Sequence, residues 1–169
     1  MALWRDERAR NGGLDEVPLP DSRGRLWLCG KHLIGPDAEA VLERTGAAAV
    51  VCLNERHELA SRYPGYVAWL ELEVPTGRAV WFPVPDLHAP SIAEVRPLLA
   101  ELGQRLDAGG GIVVHCGAGL GRAGTIAAAL LLHRGSTLTE ALAAVAGARR
   151  GAGPQAAIQD ELLVALAEQ

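Results

Sequence analysis

Between Gly111 and Thr125 the chain reads Gly-Ile-Val-Val-His-Cys-Gly-Ala-Gly-Leu-Gly-Arg-Ala-Gly-Thr, and Cys116 and Arg122 have the types and spacing of a nucleophile and an anion clamp. Five residues separate them, three of them glycine. Such a segment can curl so that successive backbone N–H groups point into one concavity, and a nest of this kind at a helix N-terminus binds a tetrahedral oxyanion. Arg122 adds a planar, permanently charged fork that matches two phosphate oxygens at once. The same positive field favours the thiolate of Cys116, the form in which a cysteine attacks. A Walker loop is excluded, because no Gly-Lys-Ser/Thr follows. One short stretch therefore offers both an anion site and an attacking group.

The elements that must position it follow from the hydrophobic pattern. Ile112-Val113-Val114 is a β-branched apolar run, read as a buried strand, and an alanine-rich helix begins near Ala123. Upstream, Arg25–Cys29 and Ala47–Leu53 read as strands, with a helix between them that starts at Gly35-Pro36-Asp37 and ends at Gly46. Within 54–74, Tyr63-Pro64-Gly65 is a break, and Tyr66–Val74 admits alternating strand or helix. Helix is favoured because Ala79–Val84 reads as a further buried strand, and parallel neighbours need a crossover of about a dozen residues. Ser91 with Glu94 forms a capping box for a helix to about Asp107, and Thr137 with Glu140 opens another to about 149. A last helix is expected over about 155–167. Strands alternating with helices give a single α/β domain, a central, mostly parallel sheet flanked by helices on both faces. Residues 1–24 read as an irregular N-terminal arm and 25–169 as the catalytic domain.

Composition narrows the function classes. The 169 residues are 49% apolar, with 16 basic against 20 acidic residues and a net charge of −4, which leaves no basic stripe for nucleic acid. Three cysteines without Cys-x-x-Cys spacing point to free thiols in a reducing compartment and away from zinc. The charged start MALWRDERAR is not a signal peptide, and Ala123–Leu132 is too short to span a bilayer. A cytoplasmic protein without a membrane partner is expected, a monomer being the favoured state. Its excess of Ala, Gly and Arg over a single lysine, Lys31, points to a GC-rich bacterial genome.

His-Cys-x5-Arg, as HCGAGLGRAGT, resembles the signature of the cysteine-dependent protein tyrosine and dual-specificity phosphatases, closest to the cell-division-cycle and kinase-associated branches. The resemblance implies the phosphatase fold of that family. It also implies hydrolysis of phosphotyrosine, with phosphoserine and phosphothreonine as further substrates, through a phosphocysteine, with a phosphorylated protein or peptide as partner. Neither metal nor cofactor is implied. Cys116 is then the nucleophile, residues Gly117, Ala118, Gly119, Leu120, Gly121 and Arg122 form the phosphate loop, and His115 orients that loop. Asp86 lies thirty positions before Cys116 in Trp-Phe-Pro-Val-Pro-Asp-Leu-His-Ala-Pro, similar to the family's acid loop, and would protonate the leaving oxygen. His88, two residues on, is the alternative acid. Gln155 and Gln159 compete for the family's water-positioning role.

Two further readings depend on this resemblance. The family carries Ser or Thr directly after the arginine, where this chain has Ala123; Thr125 matches a later family Thr. That departure keeps open a binding module with weak turnover, beside the phosphoprotein phosphatase and a phosphatase of a small ester such as an inositol phosphate or nucleotide. The stretch Cys52-Leu53-Asn54-Glu55-Arg56-His57 resembles a strand end of the phosphoinositide phosphatase and tensin homologue. Cys52 is accordingly a candidate redox partner for Cys116. That homologue carries lysines in its signature loop, whereas Gly117, Ala118 and Leu120 are uncharged here.

Overall fold

Apolar runs buried on both sides become the inner strands of one sheet. The computed structural model describes residues 2–169, with side chains from Glu7 onward. Strands β1 (Leu14–Val17), β2 (Leu26–Gly30), β3 (Ala49–Cys52), β4 (Ala79–Trp81) and β5 (Ile112–Cys116) form a single sheet in the order β1-β2-β5-β3-β4. Only β1 runs antiparallel, pairing Leu14 with Cys29 through Val17 with Leu26. The strand that ends in Cys116 is central, between β2 and β3, and all five of its residues are buried.

Helices cover both faces, as the α/β pattern requires. On one face α6 (Ile92–Asp107), α7 (Gly121–His133), α8 (Leu138–Ala148) and α9 (Ala157–Ala167) pack over Leu28, Val51, Leu53, Val114 and Cys116. On the other, α2 (Lys31–Ile34), α3 (Ala38–Thr45) and α5 (Pro64–Glu73) cover Cys29, Val50, Cys52 and Val113. Between β3 and α5 lies the short α4 (Arg56–Leu59). Helix α7 is buried from Gly121 to Leu131, so its Ala and Leu residues form a helix that is apolar all round. Each of its fully buried leucines contributes roughly 1.5–3 kcal/mol of transfer free energy.

The capping boxes Ser91/Glu94 and Thr137/Glu140 form, and residues 56–59 and 64–73 are helical, as read from sequence. Two readings change. Residues 1–24 are not an irregular arm, since α1 spans Ala2–Asn11 and β1 follows it. Ion pairs from Glu7 to Arg44 and from Asp15 to Arg149 hold this polar segment to the body, in place of an apolar stripe. Strand β4 stops at Trp81 rather than Val84. Phe82 and Val84 still donate to Cys52 and Leu53, but Pro83 between them has no N–H to give.

Candidate active site

Cys116 closes β5 and α7 begins five residues later, so the loop between them is held at the carboxyl end of the central strand. Open α/β sheets bind their ligands in this position. The backbone of the loop is tied from outside: Lys31 N–H donates to Gly117 O at 2.9 Å, and Gly153 N–H to Leu120 O at 3.0 Å. In a trans peptide the next N–H points the opposite way, so the amides of Ala118 and Gly121 face inward. Gly119 has φ 75°, and a Cβ there would lie 2.3 Å from the Cys29 carbonyl oxygen, so no other residue fits. The Cys116 sulfur is buried at the N-terminus of α7 and accepts the Ala123 N–H at 3.5 Å. Thr125 spends its hydroxyl on Gly121 O, 2.7 Å away in its own helix. It does not replace the hydroxyl missing at Ala123.

Arg122 is buried and locked. Its Nη1 donates to Glu58 Oε2 and to Val84 O, both at 2.8 Å, and its Nη2 to Glu58 Oε1 at 2.7 Å. Asn54 and the Glu55 amide also donate to the Glu58 carboxylate. Burial pushes the Glu58 carboxyl up, but these hydrogen bonds and the guanidinium charge outweigh it and hold the group at about 2. Glu58 thus stays ionised and fixes the plane of the guanidinium.

Asp86 is brought to the same group. Its Oδ1 lies 3.5 Å from Arg122 Nη2, on a side chain that is 75% exposed. A turn carries it: His88 N–H donates to Pro85 O, and Leu87 between them sits at φ 62°. The His88 Nδ1–H donates to Asp86 O at 2.8 Å.

His115 is fully buried, and burial pushes it down to about 4, Arg122 acting in the same direction, against a hydrogen bond to Cys116. The ring is neutral. A carbonyl can only accept, so Nδ1 carries the proton toward Cys116 O at 3.3 Å and Nε2 accepts from Tyr66 Oη at 2.5 Å. The two glutamines are both present but do different things. Gln155 is exposed over the loop, its Oε1 within 2.7 Å of where a Cβ on Gly121 would be. Gln159 is buried, accepting from Gln155 N at 2.7 Å and donating to His88 O at 3.2 Å.

Cys52 is not placed against Cys116. It pairs in register with His115 and shares that residue's face, next to Tyr66, with its thiol pushed up to about 12 by burial. Cys116 points to the other face, among Leu53 and Val114. Residues one step apart on neighbouring strands have close Cα atoms, but Cβ vectors on opposite faces exclude a disulfide without backbone movement. Glu58 and Tyr66 were not legible as site residues, although Glu55-x-x-Glu58 has the spacing of a capping box, which it forms. Among the described residues no three His, Cys, Asp or Glu side chains gather as a metal site.

Comparison with known proteins gives this geometry a family. The model of the Swiss Army Knife DSP-PTPase phosphatase domain matches residues 29–160. Human dual specificity phosphatase 28 is 32% identical over 160 residues, covering 92% of this chain and 83% of that protein. Among solved structures, Tk-PTP in its active form superposes with a TM-score of 0.69 at 29% identity, over 89% of this chain and 98% of its own. Kinase associated phosphatase, with its catalytic cysteine replaced by serine, shares the fold with a TM-score of 0.71 at 23% identity, over 89% and 91% of the two chains. The chain belongs to the dual-specificity protein tyrosine phosphatases and is a phosphatase.

Proposed function

We propose that the enzyme hydrolyses phosphotyrosine in proteins or peptides, with phosphoserine and phosphothreonine as further substrates, through a phosphocysteine. The observation that carries this reading is the meeting of three groups: the Cys116 sulfur at the start of α7, the Arg122 guanidinium fixed by Glu58, and Asp86 3.5 Å from that guanidinium. Cys116 Sγ attacks phosphorus while the loop amides and Arg122 hold the equatorial oxygens. The P–O ester bond breaks as Asp86 gives its proton to the leaving oxygen. Water, held by Gln155, then attacks phosphorus and returns a proton to Asp86, and the S–P bond breaks to release phosphate and the thiolate.

The first step has all its donors, and the second lacks one. With Ala123 in place of a hydroxyl and Thr125 turned into its own helix, the departing sulfur has only the Ala123 amide at 3.5 Å. That observation favours the binding module with weak turnover more than a small-ester substrate. Rapid-quench kinetics with p-nitrophenyl phosphate and a phosphotyrosine peptide separate the readings. The expected result is one burst of product per site followed by slower sustained turnover. Ala123→Ser should raise the steady rate and leave the burst unchanged. A burst with no turnover after it would establish a trap instead, and no product release at all a binder.

A further inference from the structure

Two of the loop carbonyls are tied by backbone amides, from Lys31 and Gly153; that of Ala118 is tied by a side chain from outside the loop and its helix. Arg149, at the end of α8, is 4% exposed, and its Nη2 donates to Ala118 O at 2.7 Å. Its Nη1 reaches the opposite way, to Gly12 O at 2.9 Å, Gly13 O at 3.0 Å and Asp15 Oδ2 at 2.8 Å. Gly12 and Gly13 have φ 81° and 75°, and this turn between α1 and β1 aims two carbonyls at one guanidinium. Asp15 is itself held by Arg8, with contacts of 2.7 and 3.1 Å. The segment read from sequence as an irregular arm therefore ends, through one buried charge, on the phosphate loop.

The consequence is conformational. Pulling Ala118 O outward turns the N–H of the same trans peptide, that of Gly119, into the cup. Gly119 has no side chain to offer and no room for one, so its amide is all it contributes. A charged donor at 2.7 Å also makes a stronger tie than a neutral amide does.

We propose that Arg149 is a positioning residue for the phosphate loop and that Gly12, Gly13 and Asp15 make the N-terminal α1–β1 segment part of the oxyanion site. This rests on the phosphatase reading above, since it concerns how that cup is held open for phosphate. Arg149 touches no reacting atom; it acts through the Ala118–Gly119 peptide.

The test uses the full-length chain and Arg149→Met, Arg149→Lys and Asp15→Asn. Anion affinity is read without turnover, as the concentration of inorganic phosphate that half-protects Cys116 from alkylation by iodoacetate. Steady-state constants for p-nitrophenyl phosphate and melting temperatures are measured beside it. Loss of one charged hydrogen bond to the loop should raise the half-protecting concentration about tenfold in Arg149→Met. Arg149→Lys, which keeps one charged donor, should recover most of that loss, and Asp15→Asn should weaken protection about threefold. KM should rise in step with the half-protecting concentration in all three. Wild-type protection and KM in a folded Arg149→Met would overturn the proposal. Should that variant fail to fold, unchanged protection in folded Asp15→Asn overturns it equally. Absence of protection in the wild-type enzyme would instead bring down the phosphatase reading, and this inference with it.

Discussion

Replacing Glu58 by glutamine should do two separable kinds of damage. The carboxylate accepts two hydrogen bonds from Arg122, at 2.7 and 2.8 Å, and its side chain is 15% exposed against 4% for Arg122. Glutamine is the neutral isostere of the protonated acid, so the titration of Glu58 measures what the substitution removes. A carboxyl carried from 4.5 to about 2 corresponds to roughly 3 kcal/mol. That agrees with the roughly 3–5 kcal/mol lost when one partner of a buried ion pair is deleted. For a chain of 169 residues this lowers Tm by roughly 6–12 °C. Freed from its fork, Arg122 keeps only Val84 O as a fixed partner, and kcat/KM should fall roughly a hundredfold, the usual effect of about 1 Å of misplacement. Calorimetry and steady-state kinetics on p-nitrophenyl phosphate read the two effects. Phosphate supplies the missing counter-charge, so saturating phosphate should recover part of the lost Tm. A Glu58→Gln enzyme with wild-type Tm and kcat/KM would show that the loop alone positions Arg122, and the reasoning would fail.

The other variants separate chemistry from support. Asp86→Asn should lower kcat by roughly two to four orders of magnitude for alkyl and unactivated aryl phosphates and by less for p-nitrophenyl phosphate. Its Tm should stay within about 1 °C of wild type, because an exposed contact at 3.5 Å contributes little. An equal loss for good and poor leaving groups would remove Asp86 from the acid role. Acid should destabilise the fold in two windows. His115 is lowered to about 4, so its contribution is complete above its ordinary 6.5 and is lost as pH falls from 6.5 to 4. Glu58, lowered to about 2, contributes fully above 4.5 and loses that contribution as pH falls from 4.5 to 2. A Tm that is flat from pH 7 to 4.5 would contradict a neutral, buried His115.

What could be read from the sequence was local. Cys116, Arg122 and the glycines between them lie within one short segment, and the caps at Ser91 and Thr137 are signalled by residues three positions away. Glu58 was not legible because its partner lies 64 residues away, and no pattern states that α4 brings it to Arg122. Cys52 failed for a related reason. Sequence places it near the end of a strand, but only the register of β3 on β5 decides that it faces His115 and not Cys116. The α1–β1 segment is polar, with Leu14 and Val17 its main apolar residues after Asn11, and its order comes from ion pairs formed in the fold. Hydrophobic periodicity cannot report such order.

The site works as one unit because a single rigid group is its common reference. Both hydrogens on Arg122 Nη1 are taken, by Glu58 and by Val84 O, and Glu58 takes one from Nη2. What remains is the edge formed by Nε–H and the second Nη2 hydrogen, and Nη2 lies 3.5 Å from the Cβ position of Gly117, at the rim of the loop. The fork is therefore offered to phosphate side-on, with the other side already committed. Asp86 lies 3.5 Å from that same Nη2, so in the proposed mechanism the acid would meet the phosphoryl group at the edge that binds it. Val84, two residues before Asp86, fixes the stem of the acid loop to this guanidinium, and Gln159 holds its far side at His88. Asp86 and Arg122, 36 positions apart in the chain, thereby share one frame. Lysine at 122 would keep the charge and lose the frame, because a single ammonium cannot bind Glu58, Val84 and phosphate in fixed directions.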